Sequence, residues 1–472
     1  MHTQCTLPGL EFEGLGKRKI VADFQAGQIS SDAGALLLRE VNHATGLLSQ
    51  LSECFQDHRQ SGKVDHSLQE LLTQRVIAIA LGYEDLNDHD DLRRDPLFGV
   101  LIDKLDPTGM SRRRERDRGC CAAGKSTLNR LELAKDTTGD RYKRISYDAE
   151  AIDRLFVTHF LESHPQPPRQ IVLDLDATDD LIHGNQEGRY FHGYYDAYCF
   201  LPLYIFCDDF LLTARLRSSN CGPAKGAVEE VEKIVSQIRE RWPNTEIILR
   251  ADAGFSNNEL MSWCEDNDVF YLLGMAKNKR LLKRIETQLE RVRRKYLVNP
   301  EKKQHRIFSS FSYRTLNSWS RKRRIVAKAE HLPKGSNPRF VVTNLPTSFA
   351  TPKDLYENDY CARGDMENRI KEQQLDLFAD RTSAHEMKAN QLRLYFASMA
   401  YVLMASLRRM GLRGTELEKA QCGTIRLKLL KIGALIQVSV RRVCVAFSSG
   451  FPRKELFHRA LANIRGPAWS QG

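Results

Sequence analysis

Between Tyr360 and Gln374 the chain reads YCARGDMENRIKEQQ, which sets Tyr360, Arg363 and Glu367 at spacings of i, i+3 and i+7, with Lys371 and Gln374 beyond them. At about 100° per residue an α-helix gathers Tyr360, Arg363 and Glu367 onto one face, within about 60° of one another, and keeps Lys371 and Gln374 on the same side. One carboxylate inside a cationic and phenolic stripe suits a site that holds a divalent metal against a phosphodiester. The carboxylate ligates the metal, the guanidinium clasps phosphate oxygens and the phenol donates a hydrogen bond. Solvated helices also carry mixed charges, so the stripe acquires meaning only from acidic residues elsewhere in the chain.

Two upstream segments supply them. In IVLDLDAT, Ile171 to Thr178, the apolar residues Ile171, Leu173 and Leu175 face one way while Asp174 and Asp176 face the other. EIILRADAGF, Glu246 to Phe255, repeats the design: an apolar strand, then Asp252, then a Gly-containing turn ahead of a helix expected over Asn257 to Asn267. The C-terminal ends of strands are where open α/β sheets carry site residues, although capping a helix is the common use of such an Asp.

The order of elements ties the segments together. After the Ile171 to Asp176 strand come two further strand-like runs, Tyr198 to Cys207 and Phe210 to Leu216, separated by Asp208 and Asp209, an antiparallel meander. A helix near Ala224 to Arg241, a strand at Glu246 to Ala251, another helix, a strand at Val269 to Leu273 and, much later, the Tyr360 helix follow. Three antiparallel strands and then alternating helix and parallel strand predict an α/β fold with an RNase H-like core. In that arrangement the first and fourth strands end side by side, so Asp176 and Asp252 would converge and the late helix would bring Glu367 over them.

With these elements in place the chain resembles the DDE transposases of bacterial insertion sequences, specifically the cut-and-paste group with a β-rich insertion before the catalytic Glu. The last motif of that group is Tyr, two residues, Arg, three residues, Glu, six residues, Lys. Tyr360, Arg363 and Glu367 match it; Gln374 occupies the Lys position, with Lys371 one turn nearer as a substitute. Asp176 and Thr178 fit the group's Asp-x-Thr and Asp252 its second acid, and the resemblance takes in SSDAGALLLRE near the start and HGNQEG after Thr178. It implies two-metal phosphoryl transfer with Mg²⁺, Mn²⁺ substituting, in which Asp176 bridges both ions while Asp252 and Glu367 hold one each. It further implies double-stranded DNA as partner: cleavage at terminal inverted repeats through a hairpin intermediate, then strand transfer into target DNA inside a dimeric complex. A structure-specific nuclease of the same fold would use the same acids without joining ends. A DNA-binding protein descended from a transposase would need none of them.

Composition agrees with a polyanionic partner: 71 Lys plus Arg against 60 acidic residues give a formal charge of +11. The 11 cysteines are scattered, contain no CxxC and include one adjacent pair, Cys120 and Cys121, which suits a reducing compartment better than a zinc site or disulfide framework. The start, MHTQCTLPGLEFEG, lacks a basic region followed by an apolar one, and the apolar run Leu394 to Leu407 is too short to span a bilayer. The expected location is the bacterial cytoplasm, on the nucleoid.

One motif points elsewhere. GCCAAGKS, Gly119 to Ser126, satisfies the phosphate-loop pattern of Gly, four residues, Gly-Lys-Ser. That mechanism needs a buried strand just before the loop, and SRRRERDR precedes it here. The expectation is an ordinary loop with Ser126 or Thr127 capping the helix TLNRLELAK, and no nucleotide.

The expected organisation is a mainly helical region at 1–165 for DNA ends or dimer contacts, the first part of the catalytic core at 166–276, an insertion at 277–346, the second part of the core at 347–410 and a C-terminal region at 411–472. The insertion opens with KNKRLLKRIETQLERVRRK and continues with the strand-like RIFSSFSYRTL and RRIVAKAE. It is either a solvated helix with a small β lobe or a cationic surface along flanking DNA. On the second reading Arg321, Lys322, Arg323 and Arg324 meet phosphates and Trp319 stacks on a displaced base. His183, Gln186, Glu187, His192, Tyr194 and Tyr195, between the first two strands, form a further loop that could touch substrate.

Overall fold

Residues 9–134, 144–301 and 304–466 are described in a computed structural model of the protein. It is a mixed α/β structure in two compact units. Among the described residues one comprises 9–52, 58–131 and 406–466, and the other 53–57, 132–134, 144–301 and 304–405. The second unit is built on one nine-stranded sheet. Numbering only its longer strands, these are β1 Gln170–Ala177, β2 Leu203–Cys207, β3 Phe210–Arg215, β4 Glu246–Ala251, β5 Phe270–Met275, β6 His305–Tyr313, β7 Arg323–Leu332 and β8 Arg339–Thr343. Their order across the sheet is β3-β2-β1-β4-β5-β8-β7-β6, and the two-residue strand Gly335–Ser336 pairs with β7.

The period-2 pattern of β1 decides which face is buried. Ile171, Leu173 and Leu175 pack with Val231, Ile234, Val235 and Ile238 of the helix Ala227–Arg241, whose apolar residues recur at i, i+3, i+4 and i+7. Each such side chain contributes on the order of 1.5–3 kcal/mol by leaving water. β1 runs parallel to β4 with Leu175 opposite Ala251, and antiparallel to β2 with Asp176 opposite Tyr204. The meander forms from Leu203 onward, with Asp208 turning between β2 and β3 at a positive φ of 53°; the run expected as one strand over Tyr198 to Cys207 breaks at Leu201 and Pro202, and Ala197–Phe200 joins a separate small sheet. Asn257 caps the helix Asn258–Asp266 by accepting from the Leu260 amide.

The stretch 277–346, expected as an insertion, does not form a separate β lobe. β8 pairs antiparallel with β5, β7 with β8 and β6 with β7, so its strands prolong the main sheet. The physical reason is that β5 has an open edge on its far side, and an apolar strand such as RFVVT satisfies those backbone groups best by pairing there. On the opposite face from Leu173, Ile248, Leu272, Val326 and Val341 form a second cluster with Leu355 and Tyr356, which start the late helical segment. Arg306 of β6 donates to Glu357 at 2.7 Å, and the Phe308 ring packs on Tyr356. The added strands thus seat the element that carries Tyr360, Arg363 and Glu367.

In the first unit Ser67 caps the helix Leu68–Ala80 in a capping box with Glu70. The Ser111 to Arg118 stretch contains only turns and one short 3₁₀ segment, so no strand precedes Gly119. The helix after it begins at Lys125, earlier than expected. Ser126 and Thr127 lie inside its first turn, and the Asp90 carboxylate accepts from the Lys125 amide in their place. All described cysteines are free thiols, and no helix among the described residues is long and apolar enough to cross a membrane.

Candidate active site

Three elements meet at the C-terminal ends of β1 and β4. Asp176 is the penultimate residue of β1, its side chain 17% exposed. Asp252 follows β4 directly and accepts from the Gly254 amide at 2.9 Å, so it caps the short 3₁₀ turn Ala253–Phe255 as well as facing the site. Because Ala251 pairs with Leu175, the two aspartates end neighbouring parallel strands.

The third element runs from Pro352 to Asp376 and is less regular than the spacing suggests. Leu355–Tyr360 is π-helical, Cys361–Arg363 a tight 3₁₀ turn, Gly364–Lys371 α-helical and Glu372–Asp376 again π-helical. Such wide turns sit frequently at functional sites. Tyr360 enters beside Gly274 of β5, where a Cβ would lie 2.4 Å from the Tyr360 hydroxyl oxygen and 2.9 Å from the Ala253 nitrogen. Glycine is therefore required for the phenol to reach the Asp252 turn.

Arg363 connects the elements. Its Nη1 donates to Asp176 Oδ2 at 3.2 Å and its Nη2 to Glu367 Oε1 at 2.6 Å, joining residues 187 positions apart in the chain. Burial pushes the Asp176 carboxyl up to about 6; Arg363 opposes this, while the charges of Asp252 and Glu367 reinforce it. Burial works against the Arg363 charge, but the carboxylates of Asp176 and Glu367 more than offset it. Burial also raises the Tyr360 phenol, with Asp252 adding to the effect. The site holds more negative charge than one guanidinium neutralises, in an all-oxygen donor set suited to a hard cation. Among the described residues no three acidic, His or Cys side chains are grouped closely enough to hold a metal. The guanidinium spans the gap between Asp176 and Glu367.

Asp174, two residues back, is engaged differently. Its two oxygens accept from Arg250 at 2.5 and 2.7 Å, and Arg250 also donates to the Asp359 carbonyl, immediately before Tyr360. Arg250 was not singled out from the sequence. The available signal is a charged residue next to the end of a central parallel strand, which needs a buried counter-charge at the same register, and Arg250 pairs with Asp174.

The other site residues read from the sequence lie apart from this cluster. Lys371 is exposed one turn past Glu367. Gln374 points inward, donating to the Asp179 carbonyl and to Asp180 Oδ1, both at 3.1 Å. Trp319 is only 4% exposed, packed edge-on to Tyr313 at 5.9 Å, so its faces are not offered to a base. Its apolar surface fills the core beside β7, which outweighs the pull of the surrounding charges toward solvent. Arg323 is likewise internal, its side chain 2% exposed and joined to both oxygens of Glu265. Arg324 donates to the carbonyls of Leu345 and Pro346. Arg321 is exposed but paired with Glu265 at 3.3 Å, and Lys322 is exposed. By contrast Lys279, Arg280, Lys283, Arg284, Arg291 and Lys295, on the helices Lys279–Arg284 and Glu286–Val298, are exposed.

No curated protein matches this chain. A family model described as transposase DDE domain group 1 matches residues 12–468, nearly the whole length, and the protein accordingly belongs to that transposase family.

Proposed function

We propose that the protein is the transposase of a bacterial insertion sequence, which binds terminal inverted repeats, cuts DNA beside them and transfers the freed ends into target DNA by a cut-and-paste route. On this reading residues 166–276 and 347–410 form an RNase H-like core, 277–346 its insertion, and 1–165 with 411–472 the parts that contact DNA ends or a second copy in a dimeric complex. The supporting observation is the Arg363 bridge between Asp176 and Glu367, with Asp252 close enough to raise the Asp176 carboxyl.

Asp176, Asp252 and Glu367 would hold Mg²⁺, or Mn²⁺ in its place, which supplies charge neutralisation at the attacking and leaving oxygens. Arg363 exchanges its carboxylate partners for phosphate oxygens of the bound strand, and a bidentate guanidinium fixes that group's orientation. Tyr360, held against Gly274, donates a hydrogen bond from its hydroxyl to the same phosphodiester. Asp174 and Arg250 orient the start of this helix through the Asp359 carbonyl. The exposed cations of Lys279–Val298 follow the flanking duplex.

The test is incubation of the full chain with Mg²⁺ and a DNA carrying both ends of its own element, resolving nicked, hairpin and joined products. Joined products establish transposition. Cutting without joining would replace this reading with that of a nuclease, and no cutting with intact binding would leave a DNA-binding protein.

A further inference from the structure

The strand that delivers Asp176 continues into a small three-stranded sheet, Asp180–Leu181, Tyr190–His192 and Ala197–Phe200, whose surface is unusual. Phe191 is paired with Tyr198 across the strands, their rings edge-on at 5.5 Å, and both are about half exposed, at 53% and 44%. The Arg189 guanidinium lies over the Tyr198 ring at 3.8 Å. Tyr194, at the tip of the hairpin, is 85% exposed, and Tyr190 is also exposed. A run of aromatic faces left in water loses the stabilisation of burial, and contiguous exposed patches of this kind mark binding surfaces.

The hairpin is anchored where it leaves the sheet. The Glu187 amide donates to the His385 carbonyl at 2.9 Å, the Glu187 carboxylate accepts from the Met387 amide at 3.0 Å, and the Ser219 hydroxyl donates to the Tyr190 carbonyl at 3.0 Å. It also adjoins the carboxylates: only Thr178 and Asp179 separate the end of β1 from the strand Asp180–Leu181, and Gln374, on the helical segment of Glu367, donates to the Asp179 carbonyl and to Asp180 Oδ1, both at 3.1 Å. Tyr195 packs at 5.0 Å against both Tyr194 and His192, bracing the exposed tip from within the hairpin.

Resting on the proposed DNA-cutting function, we propose that Phe191, Tyr198, Tyr194 and Arg189 form a platform that stacks unpaired nucleobases of the DNA strand beside the carboxylate site. Every base has a π-face, so such a platform is indifferent to sequence, and a guanidinium lying on the same aromatic face adds a cation–π contact. Arg189 is the only Lys or Arg between Ile182 and Cys199, so recognition here rests on stacking and little on counterion release. Trp319, the aromatic the sequence favoured for this task, is internal.

The test uses the full chain in chelator with two probes, a blunt duplex and the same duplex bearing a short single-stranded tail with 2-aminopurine. Wild type should bind the tailed DNA more tightly and quench the 2-aminopurine. The Phe191→Ala/Tyr198→Ala variant, and separately Tyr194→Ala, whose exposed ring supports no core, should lose the quench and about tenfold in affinity for the tailed DNA per stacked base. Both should bind blunt duplex as wild type does, with the salt slope unchanged; Tyr198→Phe should keep the quench. A quench that survives all the alanine variants, or a tail that adds no affinity while blunt duplex still binds, overturns the platform alone. Loss of self-association in the variants with tailed-DNA binding intact would reassign the face to a contact between copies. Failure of wild type to bind either DNA would overturn the DNA-cutting function together with the platform.

Discussion

Arg323 and Arg363 each meet two carboxylate oxygens, and the outcomes are opposite. Arg323 is buried with Glu265, which also accepts from the Tyr271 hydroxyl at 2.7 Å and faces Arg321. Burial alone would raise the Glu265 carboxyl, but hydrogen bonds from Arg323 and Tyr271 and the charges of Arg323 and Arg321 hold it below the usual range. Arg363 must divide itself between Asp176 and Glu367 with Asp252 nearby, and Asp176 ends up raised to about 6. Burial can raise a fully paired acid too, as at Asp174, where Arg250 is the direct partner. What sets Asp176 apart is the presence of further acids with one cation among them. A saturated pair is finished structure; an unsaturated one retains an affinity for more positive charge, which is what metal-dependent chemistry needs.

The largest contrast is expected in catalysis. Asp176→Asn, Asp252→Asn and Glu367→Gln should each lower Mg²⁺-dependent cleavage of element-end DNA by about three orders of magnitude or more while duplex binding survives. Asp174→Asn and Glu265→Gln should keep measurable cleavage in whatever fraction folds. Full activity in Asp176→Asn with none in Asp174→Asn would move the ligand by two residues along β1.

Stability should reverse the ranking. Arg323→Ala leaves Glu265 buried beside a vacated guanidinium and is expected to cost about 3–5 kcal/mol, read as a shift in the denaturation midpoint. Arg363→Ala, in a site still open to water at Glu367, should cost far less. Equal losses would mean that both arginines are structural.

The sequence made the carriers legible and the pairings illegible. Alternation in Ile171 to Asp176 marks a strand because a period of two survives where one face is buried, and the short apolar run in Glu246 to Ala251 marks one packed on both faces. The helix at Ala227–Arg241 is legible for the same reason at its own period. That Arg250 would neutralise Asp174 depends on a strand register set between residues 76 positions apart, which local pattern does not carry. The cations of Arg321 to Arg324 look alike in the chain. Only the sheet decides that Arg323 faces inward to Glu265 while Lys322 stays in water. The prolonged sheet was hidden likewise: β8 is absent from the strand-like runs read in 277–346, and nothing within RFVVT says that its partner is β5.

The difference in saturation also fixes a pH dependence of opposite sign at the two sites. In the fold without metal Asp176 prefers its proton up to about pH 6, against 3.8 for an ordinary Asp. Below about pH 4 it is neutral in both folded and unfolded chains and costs nothing. As pH rises through 6 the fold loses stability, so above pH 6 Asp176→Asn should stabilise the protein in chelator by about 1–3 kcal/mol, with no gain at pH 4. Glu265→Gln should do the reverse: the lowered carboxyl contributes stability above its ordinary range that fades as the pH falls, so the variant should melt lower at neutral pH. Thermal melts of both variants at pH 4 and pH 8 decide it, and an Asp176→Asn protein that melts lower at pH 8 would mean that Arg363 saturates the site after all.

The smallest effect should appear at the cations left over. Each phosphate neutralised by the protein contributes about −0.9 to the log-log salt slope of DNA binding. Arg321 already answers to Glu265 and Asp266, and Arg323 and Arg324 are committed to protein partners. Only Lys322 is free to add a full contact, so Arg321→Ala/Lys322→Ala should flatten the slope by about one. Lys279, Lys283, Arg291 and Lys295 are exposed on the helices Lys279–Arg284 and Glu286–Val298, and replacing all four with Ala should flatten it by about three to four. The measurement is the same for both variants: affinity for end-containing duplex over a salt series without metal. A larger change from the Arg321 and Lys322 pair than from the four helix cations would show that Glu265 releases Arg321 to DNA. The saturated pair would then be as available as the unsaturated one, and the distinction between the two arginine sites would fail at its weakest point.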